Sequence, residues 1–420
     1  MSDPVTVAEA SLLARDQEQA PWQQALVLVV SGGLTRAELA TRVSERIGYT
    51  PRFRRIVTGW PTPVWSDDVD MFLTGHIREV TLAAGQRLED WLQEKLVVAL
   101  TRAHPLWELT LVNGVAPGRQ AVVVRIHPAL VDGYDHVHLF QELLDDQPDD
   151  IGAGPTDDWE PAPAAPPDVS ALLAGLGDPM AAVQRVTAGV VGLLEGGLRT
   201  VTTASRRQYV GGTEIELSLV DAIRHSFDCT THDVLLSLAT AGVRAHLAEN
   251  GAALDDPVAL IPLAITEPAV LETAIGCRLA PSFDQLPVTE TDAGARLTAV
   301  ATLGRARRDT GLSVPARDLV DLAGFAPATL HAVAAGTVGA GRAHTVTVSN
   351  VPGPVDARYL GRARVRQVYA VTGLTDAEVI NVSITSYRGR ASFAVCAAAG
   401  VESWPAAIAA ELAALRAEVR

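Results

Sequence analysis

Apolar and polar residues along the first third of the chain follow the pattern of interleaved strands and helices. The run ALVLVV at 25–30 is apolar throughout, which is typical of a strand buried on both faces. The stretch at 35–48 places Leu39, Val43 and Ile47 on one side of a helix. The same signals predict a helix at 87–101 and strands at 106–112 and 120–127. Strands and helices are therefore predicted to alternate in this part of the chain.

A segment without periodicity follows this region. After a predicted helix at 134–146, residues 147–170 read QPDDIGAGPTDDWEPAPAAPPDVS, which is rich in Pro, Asp and Ala. This composition is typical of an extended linker. A chain of 420 residues also exceeds what one ordinary core holds. We therefore predict an N-terminal domain at 1–148, a linker at 149–174 and a C-terminal domain at 175–420.

The C-terminal domain is predicted to begin with helices and to end with strands. The helical pattern at 181–200 is amphipathic and core-facing, so any membrane contact is expected to be peripheral at most. A strong helix is predicted from Thr231, with Thr230 or Thr231 as its N-cap and Gly251 just past its end. The remaining predicted elements are strands at 344–350, at 363–371 and on both sides of a turn at Arg388-Gly389, and a helix at 404–419.

Charge and cysteine content exclude several classes of protein. The chain carries 34 basic and 49 acidic residues, a net charge of −15, which is the opposite of what binding to bare nucleic acid requires. The three cysteines, Cys229, Cys277 and Cys396, are few and odd in number, so a reducing compartment is expected. The N-terminus has no signal-peptide pattern, and no run reaches about 18 apolar residues. We therefore predict a cytoplasmic protein without a nucleic-acid partner.

The motifs of several common catalytic sites are absent. The chain has no G-x-S-x-G elbow, no P-loop and no H-E-x-x-H. The acidic pairs Asp145-Asp146 and Asp149-Asp150 are expected to be a solvated helix end and part of the linker rather than a metal site. We predict neither a metal nor a bound cofactor.

The sequence HPALVDG at 127–133 follows a Val-rich strand, and the chain around it resembles the bacterial wax ester synthase/diacylglycerol acyltransferase family, whose motif is HHxxxDG. Further pieces match this family in order and spacing: PRFRR at 51–55, PVWSDD at 63–68, PLWEL at 105–109, DDWEPAP at 157–163, TVSNVPGP at 347–354 and NVSITSYRGR at 381–390. The resemblance implies two chloramphenicol-acetyltransferase-like α/β domains with a tunnel between them. It also implies acyl transfer from a thioester, in which a histidine takes the proton of an alcohol.

The sequence departs from this family at the catalytic position itself. The family's catalytic histidine is the second of the pair, and that position holds Pro128, which has no proton acceptor. His127 matches the first histidine, and because neighbouring residues of a strand point to opposite faces, it is expected to face away from the tunnel. Asp132 is expected to hold the turn at Gly133 in shape without moving protons.

Other characteristic positions are also changed. His232-Asp233 stands where the family has Asn-Asp, Gly276-Cys277 replaces Gly-Asn, and Ala264-Ile265-Thr266 replaces Ser-Leu-Arg. The SNVPGP piece is retained. The residues predicted to line the substrate tunnel are Pro128, Gly133, Asp233, Cys277, Ser349 and Asn350.

Two histidines are candidates to replace the missing base. His136 lies in the first turn of the predicted helix after Gly133, and His232 lies in the first turn of the strong helix of the second domain. A helix N-terminus favours neutral imidazole, which is the state a base needs. The candidate catalytic set is His136, His232, His127 and Asp132.

These observations predict a divergent acyltransferase that moves an acyl group from a thioester donor to a hydroxyl or amine acceptor, in specialised metabolism. The donor would be an acyl-CoA or a carrier-protein thioester, so the expected partners are a small-molecule substrate and an acyl or peptidyl carrier protein. Two alternatives stay open. One is a non-catalytic binding or recruitment protein, and the other is a repurposed tunnel that catalyses cyclisation or elimination, where positioning supplies most of the rate.

Overall fold

The structure is a computed structural model of the chain. It describes residues 21–59, 63–130, 143–149, 207–266, 277–308, 345–374 and 378–419, together with residues 3–5, 9, 10, 13, 16 and 160. Side chains are not described for residues 3, 4, 49, 262–266 and 277–281. The predicted helix at 181–200 lies outside the described residues. Of the predicted linker at 149–174, only residues 149 and 160 are described.

The described part contains fifteen strands and six α-helices. The strands are β1 (Asp3–Pro4), β2 (Gln24–Ser31), β3 (Arg55–Thr58), β4 (Val64–Asp67), β5 (Ile77–Thr81), β6 (Trp107–Ala116), β7 (Arg119–Ile126), β8 (Tyr209–Glu216), β9 (Val258–Thr266), β10 (Cys277–Gln285), β11 (Val346–Val351), β12 (Tyr359–Leu360), β13 (Ala363–Thr372), β14 (Ile380–Tyr387) and β15 (Arg390–Ala397). The helices are α1 (Arg36–Arg46), α2 (Leu88–Leu96), α3 (Ser218–Ser226), α4 (Thr231–Glu249), α5 (Ala293–Arg308) and α6 (Trp404–Ala417).

The described strands form two six-stranded sheets and one three-stranded sheet. The first large sheet has the order β12-β13-β2-β7-β6-β5, the second has the order β10-β9-β11-β14-β15-β8, and the small sheet is β1-β4-β3. In the first sheet β2 and β7 are central and are buried on both faces, which explains their unbroken apolar sequences. The mixture of these sheets with packed helices confirms the predicted α/β fold.

The long helix α4 shows how a local sequence signal starts an element. Thr230 accepts the backbone N–H of Asp233, whose carboxylate accepts the backbone N–H of Thr230 in return, and this reciprocal capping box confirms the predicted N-cap. Gly251 follows the helix with a φ of 64°, a conformation that glycine adopts without strain. The helix packs with α6 and the strands of the second sheet in one hydrophobic core.

A strand from the C-terminal part of the chain connects the two large sheets. In the sequence β13 lies between strands β11 and β14 of the second sheet, yet it pairs antiparallel with β2 of the first sheet along Val365–Thr372. At its end, the Thr372 hydroxyl contacts the Ser383 hydroxyl of β14 at 3.4 Å. The sheets therefore do not follow the chain order, and the domain boundaries at 148 and 175 stay a prediction.

The predicted helix at 87–101 is too long, because α2 ends at Leu96. The Gln23 amide donates to the carbonyls of Leu96 (2.9 Å) and Val98 (2.7 Å), and the Arg125 guanidinium donates to those of Lys95 (2.7 Å) and Val98 (2.9 Å). These side chains satisfy carbonyls at the helix end, so the chain can leave the helix without losing hydrogen bonds.

The expectation for Asp145 is wrong. Residues 143–146 are not helical, and Asp145 instead forms an isolated β-bridge with Tyr359. Its carboxylate is buried and paired with Arg42 and, at 3.4 Å, with Arg46, both on α1. The neighbouring Asp146 is exposed, as expected, and pairs with Arg358. Long-range pairing with two arginines outweighs the polar local sequence.

Candidate functional site

The junction after β7 is held by backbone hydrogen bonds to β6. Ile126 pairs with Gln24 on one side and with Trp107 on the other, and the backbone N–H of His127 donates to the Leu106 carbonyl at 2.9 Å. Pro128 then opens a buried 3₁₀ helix, Pro128–Leu130. Proline suits the first position of a helix because no intrahelical bond is needed there. Asp132, Gly133 and His136 lie outside the described residues.

His127 has the surroundings of a packed histidine. It is buried, and its Nδ1 accepts the backbone N–H of Ala129 at 3.0 Å. The proton of the neutral ring is therefore on Nε2, which lies 3.7 Å from the Asp16 carboxylate and has no hydrogen-bond partner among the described residues. Burial, with a contribution from the positive charge of Arg102, lowers the pKa of His127 to about 3. The ring stays neutral at physiological pH.

Asp16 joins this cluster from the N-terminal segment. Its Oδ1 accepts the Trp22 backbone N–H at 2.9 Å, and the Arg102 guanidinium lies 3.4 Å from its Oδ2. Burial raises the pKa of Asp16, although the hydrogen bond from Trp22 and the charge of Arg102 act in the opposite direction. Asp16 is therefore held by Trp22 and Arg102, and it lies beside His127 without a hydrogen bond to it.

His232 is placed in the first turn of α4, as the sequence predicted. Its Nδ1 lies 3.1 Å from the Asn350 Nδ2 at the end of β11. With the amide nitrogen facing the ring, Asn350 donates to Nδ1 and the ring proton sits on Nε2. A 180° rotation of the carboxamide would place its oxygen there, so that Nδ1–H would donate and Nε2 would hold the lone pair. The second arrangement is the one a general base needs.

The other predicted tunnel residues divide into three cases. Asp233 uses its carboxylate in the capping box with Thr230, at 3.0 Å from the backbone N–H and 2.7 Å from the hydroxyl. Ser349 is buried, with its hydroxyl 3.5 Å from the Val382 carbonyl. Cys277 opens β10 opposite Thr266, and only its backbone is described. Their role in lining a tunnel stays a prediction.

One aspartate–histidine pair was not predicted from the sequence. His104 Nδ1 lies 3.1 Å from the Asp68 carboxylate, which is buried, while the imidazole is about half exposed. An Nδ1–H that donates to a carboxylate leaves the Nε2 lone pair free. The His76 ring lies beside it, stacked on Trp107 at 4.6 Å. The sequence did contain a signal for this pair, because Asp68 ends the PVWSDD piece and His104 immediately precedes the PLWEL piece.

Neither metal ligation nor a Cys396 nucleophile receives support from the described part of the chain. Among those residues no group of three or more His, Cys, Asp or Glu is placed to hold a metal ion. Cys396 is buried beside Gln208, and desolvation raises the pKa of its thiol, which disfavours the nucleophilic thiolate. No described helix has the length and apolar character to cross a bilayer.

Comparisons with known proteins cover nearly the whole chain. Residues 1–235 match the family model for the wax ester synthase/diacylglycerol acyltransferase catalytic domain, and residues 276–416 match that for the WS/DGAT C-terminal domain. A probable diacylglycerol O-acyltransferase of Mycobacterium tuberculosis is 25% identical over 395 residues, which cover 85% of this chain and 84% of the relative.

Two solved structures share the fold. The wax ester synthase/diacylglycerol acyltransferase from Marinobacter aquaeolei VT8 has a TM-score of 0.68 and 20% identity, with 99% of each chain covered. A starter condensation domain of rhizomide synthetase, in complex with C8-CoA and Leu-SNAC, has a TM-score of 0.52 and 13% identity, with 100% of this chain and 94% of that chain covered. These likenesses confirm the predicted two-domain fold class.

Proposed function

Because the chain belongs to the wax ester synthase/diacylglycerol acyltransferase family and is an acyltransferase-like enzyme, we propose that it transfers an acyl group from a thioester to a hydroxyl or amine acceptor, with a substitute for the base missing at position 128. The match across both domains is the observation that carries acyl transfer. The presence of Pro128 is the observation that requires the substitute.

The chemical step needs one proton to move. The acceptor oxygen or nitrogen attacks the thioester carbonyl, the new C–O or C–N bond forms, and the C–S bond breaks. The proton leaves the acceptor and ends on the departing thiolate, so a nearby base that becomes an acid serves both halves of the reaction. General-base assistance of this kind contributes about 10²–10⁴-fold. No covalent intermediate on the protein is required.

His127 is a poor candidate for this base. Its Nδ1 lone pair is used by the Ala129 N–H, its Nε2 carries the proton, and burial holds its pKa at about 3. Pro128 has no proton acceptor at all. The motif that carries the family's chemistry therefore offers no base among its described residues.

The substitute base comes from His136 or His232 in this proposal. His232 is the better supported by described contacts, because it lies at a helix start and is held by Asn350, whose rotation would place the ring lone pair on Nε2. His104, oriented by Asp68, is a third candidate that has the lone pair already on Nε2. We rank His104 below His232 because it belongs to neither of the helix starts expected at the site.

The proposed donor is an acyl-CoA or an acyl group on a carrier protein, and the proposed setting is specialised metabolism rather than bulk lipid storage. The changes at Pro128, His232 and Cys277 support a shifted reaction, since they fall at the family's characteristic positions while the SNVPGP scaffold is kept. The fold neighbour in complex with C8-CoA and Leu-SNAC supports a thioester donor and an aminoacyl acceptor as classes to test.

The test measures thiol release from octanoyl-CoA and palmitoyl-CoA, with 1-dodecanol or dodecylamine as acceptor. We expect acceptor-dependent release that falls by about 10² or more in one of the variants His232→Ala, His136→Ala or His104→Ala. His225→Ala, on the exposed side of α3, is the matched control and should keep the wild-type rate. Full turnover in all three test variants would contradict the substitute-base proposal.

The second candidate function is thioester binding without transfer. It is favoured by the same contact that removes His127 as a base, the hydrogen bond from Ala129, together with Pro128. In that case octanoyl-CoA would bind to the protein, but neither acceptor would increase thiol release above the rate of the buffer. The two readouts, binding and release, separate this candidate from acyl transfer.

A further inference from the structure

Three buried side chains lie between the two large sheets around one contact. This contact is the 3.4 Å approach of the Thr372 hydroxyl on β13 to the Ser383 hydroxyl on β14. Gln24 on β2 is directly opposite Thr372, so the two side chains share a face of the first sheet. Asn381 and Thr385 are two residues before and after Ser383, so they share its face of β14.

This face is not the one that packs into the core of the second sheet. The intervening residues Ile380, Val382 and Ile384 occupy that hydrophobic core, so Asn381, Ser383 and Thr385 point the other way, towards the first sheet. Gln24 is also directly opposite Ile126, two residues before Pro128. The polar positions therefore lie next to the place where the family's catalytic histidine would be.

Gln24, Asn381 and Thr385 have no hydrogen-bond partners among the described residues, and we call them the inter-sheet trio. The atoms without a partner are the carboxamide nitrogen and oxygen of Gln24, the same two atoms of Asn381 and the hydroxyl of Thr385. The three residues are 0%, 2% and 0% exposed. Buried polar groups are nearly always hydrogen-bonded, because leaving one unsatisfied destabilises the fold. Five such atoms around one contact therefore indicate a bound group that supplies the missing partners.

The neighbouring strand shows that the fold can satisfy a similar group. Thr347 on β11 is directly opposite Asn381, and its hydroxyl donates to the buried Glu378 carboxylate. Thr347 and Thr385 are both buried threonines on adjacent strands, and one has a protein partner while the other has none. The lack of partners is therefore specific to the inter-sheet trio and is not a general property of this face.

The chemistry of the trio restricts what it can bind. Each carboxamide offers N–H donors and a C=O acceptor, and the hydroxyl of Thr385 can do both. An alkyl chain would leave all of them unsatisfied, and the Glu378 carboxylate beside this face disfavours an anion. Secondary amides, each with one donor and one acceptor, fit best, and more than one is needed because Asn381 and Thr385 lie four strand residues, about 13 Å, apart.

We propose that Gln24, Asn381 and Thr385 form a substrate subsite that recognises a substrate carrying more than one secondary amide. The inference rests on the proposed acyl transfer and names a substrate class for that site. Two sources could supply the amide: the pantetheine arm of the thioester donor, or an acceptor of peptide type. A peptide-type acceptor would make this chain select a polar, amide-bearing acceptor over a simple fatty alcohol, whereas the pantetheine arm would place the inter-sheet trio on the donor side of the site.

The first test is stability without any ligand. Thr385→Val, Asn381→Leu and Gln24→Met replace unsatisfied polar groups by apolar groups of similar shape. Each should raise the midpoint of thermal unfolding, by roughly 1–3 °C. Thr347→Val is the matched control, and it should lower the midpoint because it removes a made hydrogen bond. A lower midpoint for Thr385→Val and Asn381→Leu, as for the control, would show that these groups have partners in the fold and would overturn the proposal.

The second test is binding of unreactive probes. S-octyl-pantetheine carries the amides of the donor arm, N-acetylserine methylamide carries those of a peptide-type acceptor, and octyl 2-hydroxyethyl sulfide has no amide. We expect at least one amide probe to bind the wild type, and to bind each trio variant roughly tenfold more weakly. The probe that is affected identifies the source of the amide, while the amide-free probe should be insensitive to the substitutions.

Equal affinity of the amide probes for wild type and all three variants would overturn the subsite, and so would failure of both amide probes to bind the wild type. Neither probe contains a reactive carbonyl, so these outcomes do not depend on acyl transfer. Amide binding without any thiol release in the transfer assay would keep the subsite and contradict the proposed function.

Discussion

The backbone N–H of Ala129 donates to Nδ1 of His127 across 3.0 Å, and this one hydrogen bond decides what the remaining histidine of the motif can do. A neutral imidazole has one lone pair, and here it is used within the 3₁₀ turn that Pro128 begins. Nε2, which carries the proton, lies 3.7 Å from the Asp16 carboxylate. The motif therefore keeps its shape through His127 and loses its base at Pro128.

The first prediction concerns stability at low pH. Burial lowers the folded-state pKa of His127 to about 3, whereas the unfolded value is about 6.5. Between these values the unfolded chain binds one more proton, so the contribution of His127 to stability is complete above pH 6.5 and decreases as the pH falls towards 3. His127→Asn, whose Oδ1 can accept the Ala129 N–H, should reduce the slope of unfolding free energy by up to about 1.4 kcal/mol per pH unit.

The control for this prediction is Asp16. Its raised pKa acts in the opposite direction, because the folded state then holds a proton that the unfolded state has lost. Comparing His127→Asn in the wild type and in an Asp16→Asn background, by denaturant unfolding from pH 4 to pH 8, separates the two groups. Parallel slopes with and without His127 in both backgrounds would contradict the assignment.

The second prediction concerns the proline. Wild-type protein should be poor at making wax esters from palmitoyl-CoA and 1-hexadecanol, because position 128 supplies no base. Pro128→His should increase this rate by about 10² over Pro128→Ala, which removes the same ring without adding a base. The first position of a helix needs no proline, so both variants should fold. Equal rates for the two variants, measured by thiol release, would show that the missing imidazole is not what limits this reaction.

Local signals in the sequence predicted local structure well. Thr230 or Thr231 as N-cap and Gly251 past the end predicted the bounds of α4, and the turn at Arg388-Gly389 was correctly placed. The turn follows from two successive residues with φ of 50° and 76°, a hairpin geometry for which Gly is well suited. Motif pieces spread along the chain predicted the fold class.

Contacts between distant parts of the chain could not be predicted in the same way. Nothing in the sequence of β13 shows that it pairs with β2, about 340 residues earlier, because strand pairing depends on which edge is free in the folded state. Asp68 and His104 each lie at a recognisable motif, yet their hydrogen bond exists only once both motifs are folded together. The inter-sheet trio needs both sheets in place before its lack of partners can be seen.

The third prediction tests the pairing of Asp145, which the sequence suggested was solvated. Its carboxylate is buried between Arg42 and Arg46, so Asp145→Ala leaves buried positive charge without its partner. The free energy of unfolding should fall by about 3–5 kcal/mol. Asp146→Ala is the matched control, because the adjacent carboxylate is exposed, and it should change stability by less than about 1 kcal/mol. Similar losses in chemical denaturation of the two variants would contradict the buried ion pair.

The last prediction concerns the tautomer of His232, which decides whether it can act as a base. If the Asn350 amide nitrogen faces the ring, Nδ1 accepts and Nε2 carries the proton. If the oxygen faces the ring, Nδ1 carries the proton and Nε2 carries the lone pair. For a base we expect the second tautomer, which nitrogen-15 NMR of labelled histidine distinguishes by the chemical shifts of the two ring nitrogens.

Asn350→Asp should make Nδ1–H a donor to a carboxylate and raise the pKa of His232, because the nearby negative charge stabilises imidazolium. In the transfer assay that change should move the acidic limb of kcat/KM to higher pH, as expected when the group that titrates is the base. Asn350→Leu should lose the tautomer preference and lower turnover without unfolding the protein. A ring proton that stays on Nε2 in the wild type, together with a pH profile unmoved by Asn350→Asp, would remove His232 from the mechanism and leave His136 and His104 as the groups to test.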